Sequence, residues 1–550
     1  MENFSSTKYI ILLLLLCLCI FFPHLDLFFV NIMEARNFTT AREMVELGNW
    51  LIPTMNGELR LEKPPLPTWI TAFVIKLFGT ESIALLRIPA AIASTLLVFY
   101  GYRFVDLITK NGLQAFISAA VMSTSLYIIY VGRTSTWDIF CHSFMMMAIY
   151  YLMKGFKMQK QNYLLFFYAG ICLGLSFMSK GPISFYALLL PFLLAHMIFY
   201  NSYVYKFHSK AFVLMIIIAL IASLWWPILV YYLEQSGADR IMDKETTAWF
   251  NRSTKPFLHY WSFPIQSGLW TTFFINALFF YFIRDRIRYR KEYRLIFWWV
   301  LGSVFFLSLV PEKKERYLLP VLIPGAFLIG FYFQLLYKYF HKNFTASKIV
   351  SLPAFFHFGL IAAVSIAIPI VFYLFVFINY DIPLWQFLGI AILFPLIGIY
   401  IGYHIYKRDI SNAFYGMLIL MVSTTIFLLP FVNYFFDANP KFNDYKELQK
   451  MEVVEGMDFY SVDFFRIEIA WETGRRVGEW NLAKEAWPSR KSTIGLFSIK
   501  PLAEVYELQF LNHYKIELID VYDNNRFLPD SRKYKQEFRK HFYLVSRKFE

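Results

Sequence analysis

The chain has 550 residues and a formal net charge of +14; it is 58% hydrophobic and 20% aromatic, and only 17% of it is charged. A soluble domain averages about 45–50% apolar and about 25% charged, so an ordinary soluble protein is excluded. The basic residues fall in short loops between apolar runs, which points to a membrane and away from nucleic acid.

In chain order, residues 9–30 form a first apolar run, preceded by Lys8 and followed by no small-residue cleavage site, which reads as an uncleaved anchor. Residues 31–82 then form a long outer loop. Within it, "EARNFTTAREMVELGNW" (34–50) places Phe38, Ala41, Met44 and Gly48 on one helical face, predicting an amphipathic helix lying on the bilayer. Asn56-Gly57 signals a turn, Pro64-Pro65 a stiff extended strut, and 67–79 an interfacial piece too short to cross. Apolar runs follow at 83–105, 112–131, 137–153, 162–179, 182–200, 211–233, 263–283, 294–310, 317–337, 350–378, 383–406 and 412–435. With 9–30 these give thirteen expected spans. All four cysteines, Cys17, Cys19, Cys141 and Cys172, lie inside such runs, so neither a disulfide nor a zinc cluster is expected. Residues 436–550 turn polar and read as a soluble extracytoplasmic α/β domain.

Lys and Arg orient the spans. "RDRIRYRKEYR" (284–294) is the densest basic loop and belongs in the cytoplasm; "KGFKMQK" (154–160), "KFHSK" (206–210) and "YKRD" (406–409) alternate in step with it. This puts the N-terminus inside and the C-terminal domain outside. Against that rule, the outer loops also carry Arg36, Lys63, Arg133, Lys180, Arg252 (in outer loop 234–262) and Arg316. Cations gathered at one membrane level suit a lipid phosphate. Glu34, Glu62 and Asp138 share that face, and Glu34 or Asp138 is a candidate general base. Each has a plainer alternative: Asp138 as a charge favouring a helix N-terminus, Glu34 as an ion-pair partner of Arg36 or Arg42. No P-loop or Gly-rich dinucleotide turn is present, which suits a lipid-linked donor.

The stretch "EARNFTTAREMVELGNWLIPTMNGELRLEKPPLPTW", followed in order by "GRTSTWD", "GLSFMSKGP" and "KKERYLLPVLIPG", resembles the bacterial 4-amino-4-deoxy-L-arabinose (lipid A) transferases, relatives of the protein O-mannosyltransferases. The resemblance covers most of 1–435. It implies a GT-C fold of transmembrane helices and transfer of a sugar from a polyprenyl-phosphate donor to lipid A, a glycan or a protein at the periplasmic face of a bacterial inner membrane. By matching position it implies that Lys63, Arg252 and Tyr317 hold the donor phosphate, that Lys180 lines the same cavity, that Asp138 is the second-loop acid, and that Glu62 sits where a divalent metal can bind. Met33 replaces the leading Asp of the family's first pair, leaving Glu34. Asn37 replaces a Tyr, and "TTAWFNR", with Trp249, lacks a His that could hold zinc. The transfer itself requires no metal. A transporter or flippase of lipid-linked sugars is the rival; it calls for phosphate-binding groups on both sides or mid-span, whereas these gather outside.

Overall fold

The structure, a computed structural model, describes residues 6–80, 82–200, 203–251, 253–341, 348–435, 439–481, 486–506 and 513–548. The chain packs as two compact units. The first comprises Met1–Asp26, Leu61–Ile70 and Glu81–Pro430; the second comprises Leu27–Arg60, Thr71–Thr80 and Phe431–Glu550. These boundaries differ from a single break at 435/436, because the chain between the first two apolar runs packs largely with the C-terminal sheet.

The first unit is helical. It contains α1 (Ser6–Phe21), and α2 (Ile32–Leu47) of the second unit follows; α3 (Leu66–Phe78) comes next, then α4 (Ile83–Thr109), α5 (Gly112–Ser123), α6 (Leu126–Gly132), α7 (Trp137–Phe156) and α8 (Tyr163–Lys180). Among the described residues nine helices are long and apolar enough to cross a membrane, or ten if the bent pair α5–α6 counts as one span. Each expected run of apolar residues falls on a helical segment, but the count of thirteen is not reached by length alone. α1 and the segment Phe185–Phe199 are short. α3, at 13 residues, rises about 20 Å against a hydrocarbon core of about 30 Å.

Two expected spans are broken. α5 and α6 meet at 68°. There the hydroxyls of Thr124 and Ser125 donate to the carbonyls of Ala120 (2.6 Å) and Val121 (2.7 Å), the back-bonding that bends helices. The run 263–283 is also not one helix. It is 3-10 structure over Phe257–Trp270, containing Pro264 and kinked at Gly268 (φ 66°), followed by short helices Thr271–Ala277 and Phe280–Ile283.

Helix Glu315–Phe340 is almost wholly buried, whereas Ser209–Leu233, Ser351–Phe377 and Leu384–Tyr406 turn apolar side chains outward, as lipid-facing helices do. Gly170 and Gly174 let α8 approach helix Ser209–Leu233 closely: a Cβ on Gly174 would come within 2.2 Å of the Ala222 Cβ.

The second unit holds a two-stranded ribbon, β1 (Thr54–Met55) and β2 (Glu58–Leu59), and a five-stranded sheet. The sheet uses β3 (Phe459–Ser461), β4 (Val477–Glu479), β5 (Thr493–Ser498), β6 (Tyr514–Asp523) and β7 (Arg539–Arg547) in the order β4-β3-β5-β7-β6. β4, β3 and β5 run parallel; β5, β7 and β6 run antiparallel. Alternate residues of β5 and β7 point to two cores. Phe497 and Phe542 face one with Tyr445 and Ile469; Ile494, Leu496 and Val545 face the other with Trp480. The described residues of this polar stretch thus carry strands and short helices, the α/β character expected of it.

α2 corrects the expectation of a helix on the bilayer. Its polar residues are buried along with its apolar ones, including Asn37, Thr39, Arg42 and Glu43. Phe38 packs on Trp471 (5.2 Å between ring centroids), Arg42 donates to the Ala470 carbonyl (3.3 Å), and Asn37 donates to Thr71 (2.9 Å). Helical periodicity found the apolar face, but the surface it covers is protein.

Candidate active site

The candidate site is built where α7 begins and α8 ends. These two antiparallel neighbours place Asp138 in the first turn of α7 and Lys180 as the last residue of α8, so each charge sits at the helix end whose dipole favours it. Gly181 ends α8, its N–H donating to the Phe177 carbonyl (2.7 Å), and Pro182 prevents continuation. The motif "SKGP" is the end of a helix with a cation at its tip. Lys180 Nζ donates to Asp138 Oδ1, and both side chains are almost fully buried, at 7% and 4% exposure. A buried pair of this kind strongly resists loss of one member.

Lys180 Nζ also lies 5.2 Å from the centre of the Tyr317 ring, which Lys314 and Arg316 approach to 5.7 and 5.6 Å. Tyr317 and Arg316 come from the 3-10 turn Glu315–Leu318 that leads into the most buried helix. Lys314 is tied down through its backbone, its N–H donating to the Tyr260 hydroxyl (3.1 Å) and its side chain pairing with Glu312. Arg316 Nε is buried without a hydrogen-bond acceptor. A buried donor left unmet costs about 1–3 kcal/mol, so Arg316 Nε is open to an acceptor. Asp138, Lys180, Arg316 and Tyr317, expected from sequence to share a site, are brought together.

The surroundings of the other candidates are as follows. Glu34 sits in the second unit at the start of α2, where its Oε2 accepts from Asn31 N (3.2 Å) and Nδ2 (2.8 Å) in a capping box. Arg36, one residue beyond the first turn, is half-buried in the same helix and its carbonyl accepts from Thr40. Arg133 is fully buried and donates to the carbonyls of Ile20 (2.7 Å), Pro23 and His24 (3.0 Å), satisfying groups at the end of α1. Lys63 is half-buried just ahead of α3, in a segment stiffened by Pro64 and Pro65. Glu62 accepts from Lys244 Nζ (3.0 Å). Among the described residues no three of His, Cys, Asp and Glu are grouped to hold a metal. Arg252 lies outside the described residues.

One residue escaped sequence reading. His142, one turn beyond Asp138 on α7, is fully buried, and neither ring nitrogen has a hydrogen-bond partner. The i,i+4 spacing from Asp138 was the available signal.

Comparison with known proteins agrees with this architecture. The family model for dolichyl-phosphate-mannose-protein mannosyltransferases matches residues 62–226, which include Lys63, Asp138 and Lys180. Two crystal structures of ArnT from Cupriavidus metallidurans, one apo and one bound to undecaprenyl phosphate, each cover 98% of this chain and are covered to 98%, with TM-scores of 0.69 and 0.67 at 14% and 15% identity. The chain shares the fold of these two ArnT structures, the helical membrane fold expected of it. Among sequence relatives, an uncharacterized protein of Aquifex aeolicus is 23% identical over 83% of this chain and 87% of its own length. An undecaprenyl phosphate-alpha-4-amino-4-deoxy-L-arabinose arabinosyl transferase of Yersinia enterocolitica is 23% identical, and one of Proteus mirabilis 26% identical; the chain spans about half the length of each, 54%. The chain is thus similar to the aminoarabinose transferases, as residues 34–69 suggested.

Proposed function

We propose that this protein is a glycosyltransferase of a bacterial inner membrane that moves a sugar from a polyprenyl-phosphate donor to a lipid, glycan or protein acceptor on the outer face. The observation that carries the reading is the gathering of Lys180 and Arg316 around Tyr317, with Arg316 Nε lacking an acceptor, on a fold shared with a protein crystallised with undecaprenyl phosphate.

The acceptor oxygen attacks the anomeric carbon as the bond to the phosphate oxygen breaks, and the electron pair leaves with the phosphate. The donor phosphodiester carries one negative charge and the departing monoester up to two. Fixed cations therefore bind the transition state and product better than the donor, which is what accelerates the step. Asp138 holds Lys180 in place and competes with the phosphate for it. Lys63 and Arg252 are further phosphate contacts, and a single displacement inverts the anomeric centre. The acceptor's proton goes to a carboxylate, for which Asp138 and Glu34 are the candidates; no metal is needed. In this reading the N-terminus is cytoplasmic and the C-terminal unit periplasmic.

The test is release of polyprenyl phosphate and transfer of label by the purified protein, with mass spectrometry of glycolipids and envelope glycoproteins from cells with and without it to identify the product. Lys180→Ala is expected to reduce transfer at least tenfold. Wild-type turnover in that variant would remove the cluster from the mechanism. A flippase would move the donor with no free polyprenyl phosphate formed.

A further inference from the structure

At the basic loop 284–294 the first unit carries a second concentration of cations, well separated in sequence from those above. Arg286, Arg288 and Arg290 of this loop and Lys338 of helix Leu319–His341 line one crevice of about 540 Å³, with Gln334 and Tyr337 in its wall. Ligand sites typically measure about 300–1,000 Å³.

Positive-inside topology alone asks only that such residues be in the loop. Three observations go beyond it. The loop is pinned: Ile287 is buried, Tyr289 accepts from Asn111 (3.3 Å) and packs edge-on against Phe331, and the Arg286 carbonyl accepts from Lys338 Nζ (3.5 Å). The cations are available: Arg288 and Arg290 are exposed and make no hydrogen bond or ion pair with described residues, while Asp285, the one carboxylate in the lining, is 3.1 Å from Arg284 and 3.8 Å from Arg294. Finally, Gln334 Oε1 is buried with no hydrogen-bond donor. Cations call for a phosphate, and an unmet amide oxygen calls for a hydroxyl beside it. Phe279 and Tyr281, just before the loop, are exposed at 59% and 79% and offer an apolar face for acyl chains.

We propose that this crevice binds the glycerophosphate headgroup of an anionic phospholipid of the phosphatidylglycerol type. Its phosphate would lie against Arg288 and Arg290, its terminal glycerol hydroxyl would donate to Gln334, and its tails would lie along the Phe279–Tyr281 face.

The experiment is native mass spectrometry of the full-length protein released from nanodiscs of phosphatidylglycerol, phosphatidic acid or phosphatidylcholine. Wild type is expected to retain phosphatidylglycerol over phosphatidylcholine. Arg288→Gln with Arg290→Gln should weaken retention by about tenfold or more, since two charge-assisted contacts to the phosphate are lost. Gln334→Leu changes no charge. It should lower retention of phosphatidylglycerol but not of phosphatidic acid, which lacks the second glycerol. Equal retention of phosphatidylcholine, or unchanged phosphatidylglycerol retention in both variants, overturns the site. Displacement of the lipid by millimolar sn-glycerol 3-phosphate would show that the crevice takes soluble phosphate esters, overturning the lipid assignment.

Discussion

Lys180 and Asp138 hold each other's charge at the ends of adjacent helices, and neither is buried cheaply alone. Removing one member of such a pair typically costs about 3–5 kcal/mol. Asp138→Asn is therefore expected to lower the thermal midpoint of the purified protein markedly, whereas Asp138→Asn combined with Lys180→Met should recover part of the loss without recovering transfer. A double-mutant cycle on stability checks this; additive losses would mean that the pair is not coupled. Glu34→Gln separates the base candidates: about a 10²–10⁴-fold fall in turnover at unchanged donor binding is expected of a general base. Glu472 in the second unit allows a pH test. Burial pushes its pKa up to about 7 from an ordinary 4.5, outweighing Lys446 at 3.3 Å. The folded protein then keeps a proton that the unfolded chain releases, so the contribution is fully present below about pH 4.5 and declines up to about pH 7, by roughly 3 kcal/mol in all. Denaturation midpoints of wild type and Glu472→Gln should separate as pH rises from about 4.5 to about 7, because the amide cannot titrate; a difference that stays constant across about pH 4–8 would overturn this.

At the scale of elements, the turn Asn56-Gly57 does more than reverse the chain between β1 and β2. The Asn56 side chain donates to the Val477 carbonyl (2.7 Å) and accepts from the Val477 N–H (2.8 Å), closing the outer edge of β4 as another strand would. Gly57, at φ 81°, leaves room for the Arg476 guanidinium, which a Cβ there would meet at 2.2 Å. Asn56→Ala is expected to destabilise the second unit by about 1–3 kcal/mol through the two lost bonds, read as greater hydrogen exchange across 459–479; unchanged exchange would mean that the edge needs no closure. The neighbouring strut is tested by ligand binding. Lys63→Ala should weaken binding of a polyprenyl-phosphate analogue about tenfold or more. Pro64→Ala with Pro65→Ala should do less, because it keeps the charge and only loosens the backbone around it. Equal affinity in Lys63→Ala would make the stretch a strut alone.

For the whole molecule, alternation of basic loops predicts that a reporter fused after residue 440 is extracytoplasmic and one placed within 284–294 is cytoplasmic. A cytoplasmic signal at 440 would put the parity of the spans in error. What the sequence by itself determined is what depends on local composition: a multipass membrane chain, the apolar runs and their flanking charges, a polar α/β tail, and an ordered set of motifs resembling aminoarabinose transferases. A stretch of apolar residues must become a helix in lipid because its backbone has no other partner. Tertiary structure decided what each polar residue does. Arg133 and Lys180 look alike in sequence, each a cation beside a span. One ends on the carbonyls of α1 and the other on Asp138 beside Tyr317, because helices distant in sequence present different partners. Likewise, α2 has the pattern of a bilayer-surface helix yet is covered by protein, and the bend between α5 and α6 depends on two hydroxyls turning back on their own helix. Periodicity records that a face is apolar. It carries no record of whether lipid or protein will cover that face, since both remove it from water with similar gain.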